Sequence, residues 1–575
     1  MKAEYKKVGL KVGLEIHQQL DTKHKLFCKC PTTMQEKYPI FIVERKQHPV
    51  LSELGEIDAA AQYEYLRDRR FFYQVFKNES CLVELDEEPP HELNREALEI
   101  ALQIALLLNC DIPDEIHVMR KTVIDGSNTS GFQRTAVVGT NGYIKFKGKK
   151  IEIKSVCLEE DAAAKVKEEN GNVTYKLNRL GVPLVEISTG IIEGFSPEEI
   201  EQIAFHIGMI CRSTKRVKEE IGSIRQDLNI SIRGSARVEI KGIQELSLIS
   251  KVIENEIRRQ LSLIRIRKEA RKRGVKRIKP KIFDVTDLLK ETDCKVLRKV
   301  IDLGGRIFAF KLNKLSGILK EELFPGKTLG RELADFVSCF GVKGIIHSDE
   351  DLSRYKLEED FKVIKKKVGA RKEDCVILIG EFNEKPKVTT LLIEKINRIL
   401  EKNEEETRTA EQDGKTRFMR PLPGAARMYP ESDIPPIPLS KEYIKQIKKS
   451  LPELWTKKYK RFLKKYKLSQ DLAMQVLLSP YSDFFEEVVK KYKVAPTLVA
   501  TTLTSLLKEL RREGRDIKRL NESHFSQIFE LLSKKKIVKD AIPEILRYLC
   551  DYPKSNAVEA VEELDLQPLS KEEVK

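Results

Sequence analysis

Several short stretches of this 575-residue chain place carboxylates and one histidine where they could hold a metal ion or a phosphate. In Val12-Gly-Leu-Glu-Ile-His-Gln-Gln-Leu20 the apolar residues Val12, Leu14, Ile16 and Leu20 alternate, the period of a strand with one buried face. Glu15 and His17 then share the other face, about 7 Å apart along the strand. Ile224-Arg-Gln-Asp-Leu-Asn-Ile-Ser-Ile-Arg233 repeats the pattern, setting Arg225, Asp227 and Asn229 opposite Leu228, Ile230 and Ile232. Val238-Glu-Ile-Lys241 carries Glu239 and Lys241 on one face, and in Gly181-Val-Pro-Leu-Val-Glu-Ile-Ser188 Glu186 stands between Val185 and Ile187. Leu158-Glu-Glu-Asp161 adds three acids, and alternation leaves open which of them faces a metal.

Any one of these faces would serve as a solvated polar surface. Together, a histidine, several acids and flanking Arg and Lys on strands of one region describe an oxygen-rich site with few soft ligands. Such a site suits Mg²⁺, with the cations placed for a phosphate chain. No Walker A sequence or dinucleotide fingerprint is present.

The elements that must carry these residues form a multidomain protein, since 575 residues exceed what one hydrophobic core organises. Positions 8 to about 263 read as short alternating strands, which predicts an antiparallel, partly open sheet. A basic stretch, Arg265 to Lys279, ends at Pro280, and mixed strand and helix patterns follow to about Arg398. The stretch from Arg420 to Pro436 holds five prolines, which exclude helix and central strand. From Lys441 the pattern is helical. The net charge of +16 favours a polyanionic partner such as RNA.

Met1 to Val12 has no apolar core of a secretory signal, and the longest apolar stretch, Leu98 to Leu108, is too short to span a bilayer. Cysteines are scattered singly except for Cys28 and Cys30, which fits reduced thiols in a cytoplasmic protein. That pair supplies half of a zinc site at most; no second pair follows at zinc-finger spacing, so no structural zinc is expected.

The strand motifs, taken with Asp125-Gly-Ser-Asn-Thr-Ser-Gly-Phe-Gln-Arg134, Leu158-Glu-Glu-Asp-Ala-Ala163 and Arg427-Met-Tyr-Pro-Glu-Ser-Asp433, resemble the B/E family of tRNA-dependent amidotransferase subunits. The segment with Leu329-Gly-Arg-Glu-Leu-Ala-Asp335 and Gly341-Val-Lys-Gly-Ile-Ile-His347 is similar to the insertion domain of bacterial-type aspartyl-tRNA synthetases, which points to the archaeal E branch over the bacterial B branch. The resemblance implies an α+β multidomain fold. A cradle catalytic domain with an antiparallel sheet would cover 1–270 and continue at 400–438. An inserted α/β domain would occupy 275–399, with all-helical parts at 439–512 and 513–575, the last read as truncated. Thr189-Gly-Ile-Ile-Glu-Gly194 departs from the family in lacking the Pro-Asp that often follows the Glu-Ile strand.

By the same resemblance, ATP phosphorylates the γ-carboxylate of glutamate misacylated onto tRNA(Gln), and ammonia displaces the phosphate. His17, Glu159 and Glu186 are the expected inner shell of Mg²⁺; Glu15, Asp227 and Glu239 complete it or hold a second ion, with Arg225 and Lys241 near phosphate. No Ser-Lys or Thr nucleophile set in a Gly/Ser-rich motif is found, so ammonia comes from another chain. The family's partner is an asparaginase-like amidase of the D type, in a heterodimer that pairs into a heterotetramer. The rival reading is a tRNA-binding scaffold that has lost phosphoryl transfer; the retained histidine and carboxylates argue against it.

The aromatic residues Trp455, Tyr459, Phe462 and Tyr466 follow a helical period, so they are expected in a core, behind a capping box spanning Ser450 to Glu453. Lys457, Lys460, Arg461 and Lys464 lie off that stripe and are the expected contacts to tRNA backbone.

Overall fold

The computed structural model describes residues 2–567 apart from 36, 52–54, 170, 383 and 425–426; the end of the expected tail lies outside them. The alternating strands assemble into an eleven-stranded sheet. Across it run Thr416–Pro421, Glu406–Ala410, Val238–Ile243, Ile224–Ser231, Lys11–Gln19, Pro183–Thr189, Lys149–Glu160, Phe132–Phe146, Val118–Thr122 and Met428–Pro430, with Ile192–Glu193 pairing the start of Lys11–Gln19. Neighbours are antiparallel except for Val238–Ile243 with Glu406–Ala410. The proline-rich region supplies one outermost strand, Met428–Pro430, and the last two residues of the other, Thr416–Pro421, positions where a missing N–H is tolerated.

One face of the sheet is apolar. Leu14, Ile16, Leu158, Val185, Ile187, Leu228 and Ile230 are fully buried there, and the helices Arg95–Leu107, Pro197–Ser213 and Ser247–Lys272 pack against strands of this sheet. Gly139 marks how close the first of these comes: a Cβ on it would lie 2.9 Å from that of Ala105. The expected strand-rich texture up to residue 263 is corrected here. Residues Ser247–Lys272 form one 26-residue helix, because apolar residues at 249, 252, 253, 257, 263 and 266 recur at helical spacing and the basic run continues the same helix on its exposed side.

The segment after Pro280 builds a four-stranded antiparallel sheet, Phe283–Asp284, Arg306–Leu312, Cys375–Glu381 and Ile345–His347, with helices including Leu329–Ser338 and Lys387–Glu401. It shares a core with the rest of this unit: Leu263, Ile266 and Ala270 of the long helix, and Tyr63 and Phe418, cluster with Phe310, Leu333 and Leu392. An ionic cluster crosses the same boundary. Arg408, fully buried, holds Glu332 through both terminal nitrogens and Glu406 at 2.7 Å, while Arg259 reaches Glu332 at 3.2 Å and Glu406 at 2.8 Å.

The chain divides into two compact units, Met1–Leu451 and Pro452–Lys575. The helix Lys441–Lys449 therefore belongs with the first, and the expected boundary at 439 moves to 451. In the second unit one core runs from Phe462 through Phe485 and Phe525 to Val561, with no division at 512/513. The expected capping box is absent: Ser450 ends the preceding helix, its hydroxyl donating to Ile447 O, and the next helix, Trp455–Lys464, begins after Leu454 without a side-chain cap. Pro452 provides the reason, since the residue before a proline is steered away from helical dihedrals. No helix among the described residues is long and apolar enough to cross a membrane.

The aromatic stripe packs inward at its C-terminal end. Phe462 is fully buried against Phe485, ring centroids 5.2 Å apart, while Trp455 and Tyr459 are half-buried. Phe462→Ala should therefore cost the second unit about 3–5 kcal/mol and Trp455→Ala clearly less, read from denaturant midpoints of the purified chain.

Candidate active site

Register decides which side chains meet. The strand Lys11–Gln19 lies between two antiparallel neighbours that pair His17 with Glu186 on one side and Glu15 with Asp227 on the other. Leu184 faces Glu159, two residues along from the Glu186–Cys157 pair, so Glu159 sits diagonally beside Glu186. Asn229 faces Glu239 in the next pair. All six expected metal-site residues thus stand on the polar face, opposite the helices.

They form two groups rather than one. His17, Glu159 and Glu186 have ligand atoms within 4.8 Å of one another, and Glu15, Asp227 and Glu239 do so separately. In the first group His17 Nε2 is 3.2 Å from Glu186 Oε2, and Ser188 Oγ donates to Glu186 Oε1 at 3.2 Å. Lys121 Nζ lies 2.7 Å from Glu159 and 3.6 Å from Glu186; Gln133 Nε2 donates to the other oxygen of Glu159. In the second, Lys241 Nζ bridges Asp227 at 3.2 Å and Glu239 at 2.8 Å. The Gly242 amide, Thr407 Oγ1 and Asn229 Nδ2 donate to Asp227, Glu239 and Glu15 respectively.

The acidic run at 158–161 now divides. Glu159 enters the first group, Glu160 accepts from the Arg134 amide, and Asp161 accepts from Gln19 at 2.6 Å and pairs with Arg225 at 3.2 Å. Arg225, expected near phosphate, pairs with Asp161 and lies directly opposite His17 in the register, while Lys241 stands in the second group. Sequence reasoning missed Lys121. It sits in Val118-Met-Arg-Lys-Thr122 with no alternating acidic pattern, and only its pairing opposite Gln133 brings it to Glu159.

Comparison with known proteins identifies the family. A family described as the GatB/GatE catalytic domain matches residues 10–445, and one described as the GatB domain matches 483–575. The chain belongs to the GatB/GatE family. Among its relatives is the E subunit of the glutamyl-tRNA(Gln) amidotransferase of Methanocaldococcus jannaschii, 47% identical over all of this chain and 91% of the relative. The E subunits from Methanococcus maripaludis (44%, all of this chain and 91% of the relative) and Saccharolobus solfataricus (45%, 96% and 88%) are similarly close. The chain is thus an amidotransferase-family enzyme subunit, and the matched catalytic domain contains both carboxylate groups.

The donor set fits a hard divalent cation. Five buried or half-buried carboxylates and one imidazole converge with no thiolate in either group, and His17 Nδ1 is buried without a hydrogen-bond partner. The charges are tightly balanced. Burial opposes ionisation of Glu186, yet Lys121 and the His17 hydrogen bond hold its carboxyl well below the usual range. For His17, burial would lower the pKa, but the bond to Glu186 leaves it raised overall. Burial keeps Glu15 up at about 7, with Glu186, Glu239 and Asp227 adding to the rise.

A cation entering beside Glu15 must displace that proton. Apparent metal affinity should accordingly rise between about pH 6 and pH 8 with release of a proton, as isothermal titration in buffers of different ionisation enthalpy would show. A Glu15→Gln variant should lose that part of the pH dependence; a parent affinity flat across the range would contradict the placement.

Proposed function

We propose that this chain is the tRNA-binding subunit that phosphorylates the γ-carboxylate of glutamate on misacylated Glu-tRNA(Gln) with ATP and amidates it to Gln-tRNA(Gln). The observation that carries the reading is the pair of adjacent carboxylate groups on one sheet face, His17 with Glu159 and Glu186, and Glu15 with Asp227 and Glu239, inside a matched amidotransferase catalytic domain. Phosphoryl transfer needs in-line positioning and charge neutralisation more than covalent help.

His17, Glu159 and Glu186 would hold one Mg²⁺, and Glu15, Asp227 and Glu239 a second. Bound there, the ions would neutralise phosphate charge. The chain's own contribution is to fix the carboxylates: Lys121 and Lys241 clamp them from the two sides, Gln133, Ser188, Thr407 and Asn229 orient individual oxygens, and Arg225, opposite His17, is held by Asp161. When phosphate approaches, Arg225 and Lys241 are the cations that would meet it.

Ammonia comes from a separate asparaginase-like amidase of the D type, in a heterodimer that pairs into a cytoplasmic heterotetramer. The likeness of the inserted segment to that of bacterial-type aspartyl-tRNA synthetases belongs to the same proposal. Supplied with ammonium, Glu-tRNA(Gln) and ATP, the single chain should form Gln-tRNA(Gln) without hydrolysing glutamine or asparagine. His17→Ala and Glu186→Ala should each abolish phosphorylation while tRNA affinity stays within a few-fold. Near-normal turnover in either variant would sink the assignment.

The same proposal assigns tRNA binding to the second unit. Lys457, Lys460 and Lys464 are exposed on the helix Trp455–Lys464 and available to phosphate. Arg461 is not: its guanidinium pairs with Glu453 at 2.6 Å and Glu486 at 2.7 Å, which changes its expected role from RNA contact to helix anchor. Reversing the three lysines should weaken tRNA binding and flatten the log K against log salt slope by about one per lost contact, whereas Arg461→Ala should loosen helix packing with the slope kept. An unaltered slope in the triple variant would place the tRNA elsewhere.

A further inference from the structure

The motif Gly341-Val-Lys-Gly-Ile-Ile-His347, which the proposed reaction does not use, ends at a buried trio of metal-binding side chains. His347, Asp349 and Cys375 are 6%, 6% and 0% exposed, and one ligand atom of each lies within 4.8 Å of the other two. We propose that His347, Asp349 and Cys375 bind a structural zinc ion in the segment after Pro280.

Strand pairing brings the three together. His347 ends the edge strand Ile345–His347 opposite Ile377, and the Ser348 amide prolongs the pairing by donating to Val376 O at 2.8 Å. Val376 N in turn donates to Ser348 Oγ at 2.9 Å. The turn carrying Asp349 is thereby held beside Cys375, the first residue of the neighbouring strand. The Leu319 amide donates to Asp349 Oδ2 at 3.2 Å, fixing the carboxylate as an outer contact does around a metal. Gly330, in the first turn of the helix Leu329–Ser338, lets that helix close on the imidazole: a Cβ there would overlap His347 Nε2.

The histidine lacks the partners that a buried imidazole needs. His347 Nδ1 is buried with no hydrogen-bond partner, and Nε2 stands 3.9 Å from Glu350 Oε1, beyond bonding range. Cys375, Leu319 and Leu329 belong to the apolar core of the segment, where an unpaired imidazole and a carboxylate are costly to place. Burial outweighs the pull of Glu350 and Asp349 and lowers the His347 pKa, which keeps the ring in the neutral form that binds metal. Thiolate and carboxylate together carry the two negative charges that a divalent ion neutralises, so the buried complex would have no net charge. One sulfur, one imidazole nitrogen and one carboxylate oxygen suit zinc and disfavour Mg²⁺, with water left to fill the fourth tetrahedral position. The ion would pin the three-residue edge strand to its neighbour and to the Leu319 turn. Sequence spacing hides the site, because Cys375 comes from the next strand, beyond the intervening helix Glu358–Lys367.

The test uses the full chain purified without chelator. Cys28, Cys30, Cys81 and Glu84 form a separate thiol-bearing group whose ligand atoms also lie within 4.8 Å of one another, so metal content is read as a difference. By elemental analysis, His347→Ala and Cys375→Ser should each hold about one zinc fewer per chain than the parent, and the same difference should persist in a Cys28→Ser background. Should those variants fail to fold, Asp349→Cys decides. Its added thiolate should strengthen thiolate-to-cobalt charge transfer in cobalt-exchanged protein, which a change at Asp349 cannot do through the Cys28 group. Equal zinc content in the parent and a folded His347→Ala or Cys375→Ser variant, or a charge-transfer spectrum unchanged in Asp349→Cys, would overturn the proposal. None of these readouts depends on catalysis, so failure here is separable from failure of the proposed reaction.

Discussion

The whole site depends on the register of one central strand. Lys11–Gln19 is paired on both sides, with His17 opposite Glu186 and Glu15 opposite Asp227. A slip of one residue in either pairing would turn Leu14 and Ile16 toward the polar face and send the carboxylates into the helices. The apolar face forbids this. Leu14, Ile16, Val185, Ile187, Leu228 and Ile230 are all buried beneath the helices, and exposing even a few would cost ~1.5–3 kcal/mol each. Hydrophobic burial on one side of the sheet is therefore what assembles like charges on the other.

Assembling like charges in a buried place requires fixed cations, and the same solution recurs. Lys121 divides Glu159 from Glu186 and Lys241 divides Asp227 from Glu239. Where the segment after Pro280 meets the long helix and the strand Glu406–Ala410, Arg259, Arg408 and Lys395 are interleaved with Glu332, Glu404 and Glu406. Removing one member of such a buried pair costs about 3–5 kcal/mol because its partner is left uncompensated. That cluster ties the strand Glu406–Ala410 to Glu332 of the segment after Pro280, alongside the hydrophobic core that the segment shares with the long helix and Phe418.

Much of the site was legible because strands have a period of two. Alternation alone put Glu15 with His17, Asp227 with Asn229, and Glu239 with Lys241 on common faces, and pairing brought all of them together. What alternation cannot express is which strands are neighbours. Lys121 and Cys81 are invisible for that reason: each is an isolated residue whose partners come from strands or loops far away in sequence. The helix Ser247–Lys272 is obscured differently, since its basic C-terminal half has the composition of a connecting stretch although the apolar stripe continues through Ile266 and Ala270. Ser450 misled because a capping signature is local, while the proline two residues later governs whether the helix can start there.

The strand Val118–Thr122 shows how the proline-rich region joins the chemistry. Successive residues point to opposite faces. Lys121, paired with Gln133, reaches Glu159 on the polar face; Arg120, paired with Arg134, faces the other way, and both arginines bind Glu431, itself 3% exposed. Met428–Pro430 then adds as the edge strand, with Tyr429 opposite Arg120 and Met428 opposite Lys121. Glu431 therefore has no need to be a ligand for its loop to matter. By neutralising the buried Arg134 and the half-buried Arg120 it fixes the strand whose next side chain clamps Glu159, and the closing loop and the carboxylate face are held by adjacent residues of a single five-residue strand.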